Sequence, residues 1–217
     1  MLIYVAAIAH FDPLCRPRLH DWLQLTARRH PTGPEFVAVE WDPSHFELVR
    51  AQRPIVRKLA EARWPAATTE FLDALAAAVA FEADTHTELL PSTPVIWLDE
   101  GRAQPFEDAV ATYAADRINV YASYLDRDEA SFDRQTLKRM SQVAWTRLGR
   151  REPGGTDRDV RFATAISARA ADASAKSAAA IVGANHASRE LGYMVQRLED
   201  LGLMCEVTEL RPTGDAA

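Results

Sequence analysis

The chain has 217 residues, 47% of them hydrophobic, which suits one large domain with an ordinary core better than two small ones. A net charge of −6, with no basic stripe interleaved with exposed aromatics, argues against nucleic acid as a partner. No run approaches the ~20 apolar residues that span a bilayer, and two cysteines, Cys15 and Cys205, are too few for a disulfide scaffold, so a cytoplasmic protein without a membrane partner is expected. The apolar start lacks a basic n-region and reaches His10 and Asp12 too soon for a signal peptide.

Leu2–Ala9 reads as a buried strand, its unbroken apolar run implying a sheet covered on both faces. Pro13–Arg29 carries Leu19, Trp22, Leu23 and Ala27 on one helical face, with Arg28 and Arg29 suited to the helix C-terminus. His30-Pro31-Thr32-Gly33-Pro34 reads as a loop, and Glu35–Val39 as a second strand. Pro43 to about Glu61 is helical in pattern with a break expected near Pro54, and Thr68–Leu89 reads as one longer Ala-rich helix. Val95–Leu98 is a third strand. Residues 105–152 form a largely helical insertion, ended by Glu152-Pro153-Gly154-Gly155. Thr156 is a candidate N-cap for a helix running to about Ala173, with Asp157 and Asp159 in its first turn. Ala178–Ala184 is a fourth strand, Ala187–Leu201 a helix stopped by Gly202, and Met204–Leu210 a half-exposed edge strand before a frayed tail at 212–217. The order of elements predicts a layered α/β fold with a largely parallel central sheet flanked by helices, all within a single domain, 1–217.

One pattern occurs twice, thirty positions apart. Ala6-Ala7-Ile8-Ala9-His10-Phe11-Asp12-Pro13 and Phe36-Val37-Ala38-Val39-Glu40-Trp41-Asp42-Pro43 each run from an apolar strand into an ionisable residue, an aromatic, an Asp and a Pro. The expected geometry is a strand, a short step, then a helix with Asp as N-cap and Pro at its first position. His10 and Glu40 then sit at carboxyl ends of strands, where open α/β sheets place ligands. His186 follows the fourth strand, with Gly183 allowing a tight turn before it, and Asp99 follows the third.

Two imidazoles and a carboxylate suit a divalent metal (Mn, Co or Zn), which acidifies bound water and polarises a carbonyl. His10, His186 and Glu40 are the candidate ligands, with Glu40 alternatively the base and Asp99 a fourth ligand, a partner of an imidazole N–H or a general base. Arg158 is either a first-turn surface charge or a clamp for a substrate carboxylate or oxyanion. Gly154-Gly155 is a linker or a hinge. His20, His30, His45 and His86 have no assignable partner and are expected at the surface.

These residues resemble the TraB/PrgY/GumN family, grouped with the Tiki-type metalloproteases and the EreA/ChaN-like proteins. The family has two Gly-x-x-His motifs flanking an essential glutamate. Here the second is Gly183-Ala184-Asn185-His186, and the first is Ala7-Ile8-Ala9-His10, with alanine in place of glycine. Val39-Glu40-Trp41-Asp42 is similar to the family's Val-Glu-Leu-Asp segment, and Arg158-Asp159, with Phe162, Ala163 and Ile166, to its Arg-Asp/Asn helix start. The likeness covers most of the chain in order but is loose over 45–155.

The resemblance implies an α/β fold and, through the Tiki branch, a metal-dependent peptide hydrolase. EreA-like enzymes instead open a lactone, and ChaN-like proteins bind haem. The expectation is therefore a metal-dependent, peptidase-like hydrolase acting on a peptide or small molecule. The alternatives are a metal-independent ester or lactone hydrolase and a non-catalytic module that sequesters a peptide or haem-like ligand. A nucleotide-binding Rossmann domain is disfavoured, because the turn after the first strand has no glycine and presents an acid where a pyrophosphate would sit.

Overall fold

The computed structural model describes residues 1–29, 33–100, 106–126, 129–148, 155–173, 175–190 and 193–213, with 106–111 described by their backbone. His30-Pro31-Thr32 of the expected loop, Glu152-Pro153-Gly154 of the expected break and the last four residues of the tail lie outside that set.

Among the described residues five strands form one sheet: β1 (Leu2–Ile8), β2 (Val37–Val39), β3 (Val95–Trp97), β4 (Ser177–Gly183) and β5 (Met204–Glu209). Their order is β3-β2-β4-β1-β5 and every pairing is parallel, as the α/β reading requires. β1 and β4, the longest, lie side by side with Leu2 opposite Ser177 and Ile8 opposite Gly183, and both are buried along almost their whole length. β5 pairs only with β1, and its outer positions Met204, Glu206 and Glu209 are exposed, the half-wet pattern of an edge.

Helices cover both faces. On one, Val5, Ala7, Ala180 and Val182 pack against Phe162 and Ile166 of α8 (Asp157–Asp172) and Met194, Val195 and Leu198 of α9 (Met194–Asp200). On the other, Tyr4, Ala6, Val39 and Ile181 meet Leu19, Trp22 and Leu23 of α1 (Cys15–Arg29). Each large apolar side chain fully removed from water on these faces contributes roughly 1.5–3 kcal/mol to folding. A second core lies beyond the strand ends. It joins α2 (Pro43–Arg50), α3 (Arg53–Arg63), α4 (Thr69–Ala77), α6 (Phe106–Ser123) and α7 (Arg134–Thr146) through Phe46, Val56, Phe71, Leu75, Ile118, Tyr121 and Met140. The helical insertion thus builds a wall over the carboxyl edge of the sheet.

The break near Pro54 falls as expected, between α2 and α3. Three boundaries differ from expectation. The long helix over 68–89 is two, α4 and α5 (Glu82–Leu89), because Ala80 takes a positive φ of 44° between them. Arg53 donates to the carbonyls of Val79 and Ala80, and Arg117 to that of Ala78, so side chains satisfy the carbonyls that the interrupted helix leaves open. The helix expected from Ala187 begins only at Met194. Residues 183–187 instead make tight turns, with the His186 N–H donating to Gly183 O at 2.8 Å and the Ala187 N–H to Ala184 O at 3.2 Å. Finally, Asp12 does not cap a helix at Pro13. α1 starts at Cys15, and Asp12, wholly buried, accepts from the Leu14 N–H at 2.8 Å, the Trp145 Nε1–H at 2.8 Å and Arg18. Its twin Asp42 behaves as expected, capping the N–H groups of Ser44 and His45 with Pro43 in the first turn.

Candidate functional site

β2, β4 and β1 are neighbours, so the residues that follow them arrive at one edge. Each strand pairing continues one step beyond its end: Glu40 N–H donates to Ile181 O, and Ala184 N–H to Ile8 O. This fixes the backbone on which Glu40, His10 and His186 stand.

Glu40 is the hub. Its Oε2 accepts from the Gly183 N–H at 2.5 Å and lies 3.5 Å from His10 Nε2. Its Oε1 lies 3.2 Å from His186 Nε2 and 2.9 Å from Arg158 Nη1. Each imidazole is held from behind by a second carboxylate, His10 Nδ1 by Glu82 Oε1 at 3.0 Å and His186 Nδ1 by Asp159 Oδ1 at 2.6 Å. The result is a chain of alternating groups, Glu82–His10–Glu40–His186–Asp159. Gly183 is small because it must be: a Cβ there would stand 3.0 Å from His10 Nε2 and 3.2 Å from Glu40 Oε2.

Burial opposes charge on all of these groups, and their mutual contacts outweigh it. Desolvation works to lower the His10 pKa, but hydrogen bonds and charges from Glu40 and Glu82 push it up to about 10. His186 is likewise raised, by Asp159 and Glu40 against its burial. Glu40 is held well below the usual carboxylate range by the two imidazoles, although burial alone would raise it. Asp159 is lowered against its burial by His186 and Thr156. At neutral pH Glu40 is therefore a carboxylate and His10 an imidazolium.

The remaining sequence candidates join the same network. Asp99 brackets Arg158, accepting from its Nε at 3.0 and 3.1 Å and from its Nη2. Arg158 is thus a bridge between Asp99 and Glu40, with a largely buried side chain. Asp159 closes the expected capping box with Thr156 through one carboxylate oxygen and holds His186 with the other.

Glu82 gave no signal in the sequence. It reaches His10 only because the helix breaks at Ala80, and its local pattern is that of any first-turn acid. His45 was expected at the surface and instead lines the site, its pKa lowered by burial against Asp42 and Asp99. His86 is buried, with Nε2 on Thr93 O at 2.9 Å, while His20 is exposed.

His10, Glu40, Glu82, Asp99 and Arg158 line a cleft of about 330 Å³, within the range of small-molecule pockets, while His186 and Asp159 are buried beneath Glu40. Phe11, Trp41 and Tyr113 form its aromatic rim, and Arg117 backs one wall. Arg117 is buried, donating to the hydroxyls of Tyr121 at 2.9 Å and Tyr113 at 2.8 Å and to His10 O at 2.6 Å, with Phe11 stacked 4.8 Å away. Tyr113 uses an oxygen lone pair to accept from Arg117, which leaves its own O–H to point elsewhere and polarises it as a donor.

Among the described residues no group of three or more His, Cys, Asp or Glu side chains is arranged to hold a metal ion. The donors explain why. Both Glu40 oxygens already accept, one from the Gly183 N–H and the other from Arg158, and an ion on Glu40 would share it with a guanidinium 2.9 Å away. An ion held by His10, Glu40 and His186 would therefore compete with Arg158 for Glu40. Among the described residues no helix is long and apolar enough to cross a membrane. Comparison with known proteins finds no family model, curated protein or solved structure that matches this chain.

Proposed function

We propose that this chain is a hydrolase for the carbonyl group of a small ester- or amide-type substrate, working by proton transfer between Glu40 and His10. The observation that carries this reading is the convergence of two imidazole Nε2 atoms on one buried carboxylate at the floor of a cleft. The pair is charged in advance. Glu40 is ionised and takes a proton from the attacking water, while protonated His10, one-third exposed and facing the cleft, delivers a proton to the leaving group. The developing oxyanion receives the Tyr113 O–H, with the Arg117 charge behind it. His186 and Asp159 are positioning residues that set the orientation of Glu40. Arg158 does the same from the other side, and Asp99 fixes Arg158.

The metal-dependent peptidase implied by the TraB-like motifs is the second reading, favoured by one observation. Glu82 and Asp159 hold the Nδ1 atoms as carboxylates hold metal-ligating imidazoles. Hydrolysis of nitrophenyl esters, small lactones and dipeptide amides separates the two. The first reading expects turnover that survives a chelator and falls by about 100-fold or more in Glu40→Gln, as loss of a general base does. Full activity in Glu40→Gln refutes it. Activity that appears only with added Mn, Co or Zn selects the second.

A further inference from the structure

Both halves of the repeated pattern carry an aromatic directly after the ionisable residue, Phe11 after His10 and Trp41 after Glu40, and neither ring takes part in the proton transfers. In an extended strand adjacent side chains face opposite ways, so a residue and its successor share a cavity only if the chain turns there. It turns at both places. The Asp12 N–H donates to Ala9 O at 2.9 Å, closing a four-residue turn around His10 and Phe11. The Trp41 N–H donates to Val39 O at 2.9 Å, closing a three-residue turn around Glu40. All four side chains consequently line the one cleft. β1 and β2 flank β4, so the two rings spring from strand ends roughly 10 Å apart. Aromatic rings in contact stand about 4.5–7 Å apart between centroids, so a single ring lying between these two can touch both.

Protein contacts hold both rings. Of the large hydrophobic side chains left exposed among the described residues, Phe11 is the one aromatic, at 38%. The Arg117 guanidinium lies over its ring, 4.8 Å from the centroid, and 5.9 Å from that of Tyr113. Trp41 is braced by the rings of His45 at 5.4 Å and Phe46 at 5.7 Å. Side chains fixed in this way lose little freedom when a ligand packs on them. The charges select against ions of either sign. Arg117 already draws on the negative face of Phe11 that would hold an ammonium group, and protonated His10 is its neighbour in the chain. The carboxylates of Glu40, Glu82 and Asp99 line the same cleft and oppose an anion. A neutral flat group meets neither objection.

We infer that this cleft is built for a substrate bearing one neutral aromatic ring, seated against Phe11 and Trp41 beside His10. The inference rests on the hydrolytic reading, under which the leaving group carries the ring, because His10 protonates that group.

Benzyl acetate and cyclohexylmethyl acetate are the probes, sharing an acetyl group and a primary leaving alcohol, with choline acetate as the cationic member. The parent chain should favour the benzyl over the cyclohexylmethyl ester by about tenfold in kcat/KM, as contact with two aromatic rings supplies, and the choline ester should be the poorest. Phe11→Leu should bring that ratio below about threefold and Phe11→Tyr should keep it, with circular dichroism establishing that both are folded. N-benzylacetamide and N-(cyclohexylmethyl)acetamide, titrated calorimetrically into the Glu40→Gln chain, read the seat without turnover. Preferential binding of the benzyl amide with neither ester hydrolysed upholds the seat and refutes the hydrolytic reading. Equal hydrolysis of the benzyl and cyclohexylmethyl esters overturns the seat and leaves that reading standing. No difference between the amides, a preference unchanged in Phe11→Leu, or a choline ester as the best substrate overturns the inference.

Discussion

Replacing Gly183 by alanine tests how tightly the site is built. The added methyl would stand 3.0 Å from His10 Nε2 and 3.2 Å from Glu40 Oε2, so each neighbour must give by several tenths of an ångström. Neither moves freely. Glu40 is pinned by the Gly183 N–H, Arg158 and His186, and His10 is held by Glu82. The β4 backbone lies between β1 and β2 and cannot slide away from them. Overfilling a packed site costs about 1–3 kcal/mol. At roughly 2–4 °C per kcal/mol for a chain of this size, the thermal midpoint should fall by about 2–12 °C. The nearest clash is with His10, so a double-mutant cycle with His10→Ala should be non-additive by about 1 kcal/mol. Chemical denaturation of the four proteins measures it. If Gly183→Ala melts with the parent, or the two changes add within about 0.5 kcal/mol, the contact is not what keeps this position small.

Other consequences are open to the same methods. Arg53→Ala strips the donors from the Val79 and Ala80 carbonyls at the α4–α5 break, and a loss of about 1–3 kcal/mol in urea unfolding is expected. An unchanged midpoint would show that water replaces the guanidinium. Trp145→Phe removes an N–H from the fully buried Asp12, whose pKa burial already raises. It should destabilise by about 1.5–3 kcal/mol at neutral pH, and less in acid, where Asp12 protonates. Stability should decline on both sides of neutrality. The His10 pKa is raised in the fold, so its contribution is complete below 6.5 and is lost as pH climbs toward about 10. His86 is lowered by burial, so the unfolded chain takes up its proton first and stability drops below 6.5. Urea midpoints across pH 5–10 should show both limbs, and His10→Asn should flatten the alkaline one.

The strands could be read from the sequence because long apolar runs ending in Asp-Pro, or in a glycine turn, leave few alternatives, and parallel order follows from the helices between them. The convergence of His10, Glu40 and His186 could be read only as far as strand ends go; their adjacency depends on β4 inserting between β1 and β2. The supporting carboxylates were less visible. Asp159 stood in plain view as the acid of a capping box, and nothing local says that its other oxygen faces an imidazole. Glu82 was hidden by the break at Ala80. No glycine or proline marks it, and it is held by Arg53 and Arg117, which lie 27 and 37 residues from Ala80. Asp12 and Asp42 show the same limit. Their local sequences follow one pattern, and Asp12 is set apart by its contacts with Arg18 and with Trp145, which lies 133 residues beyond it.

The pairing of β1 bears on synthesis. Both neighbours of this strand, β4 and β5, are translated only after residue 176, long after β1 itself. Throughout elongation the nascent chain carries an unmatched, strongly apolar strand with two open edges, the kind of segment that adheres to other chains or recruits a chaperone. His10 and His186 follow those same late-meeting strands, so the network around Glu40 cannot assemble until β4 has been made.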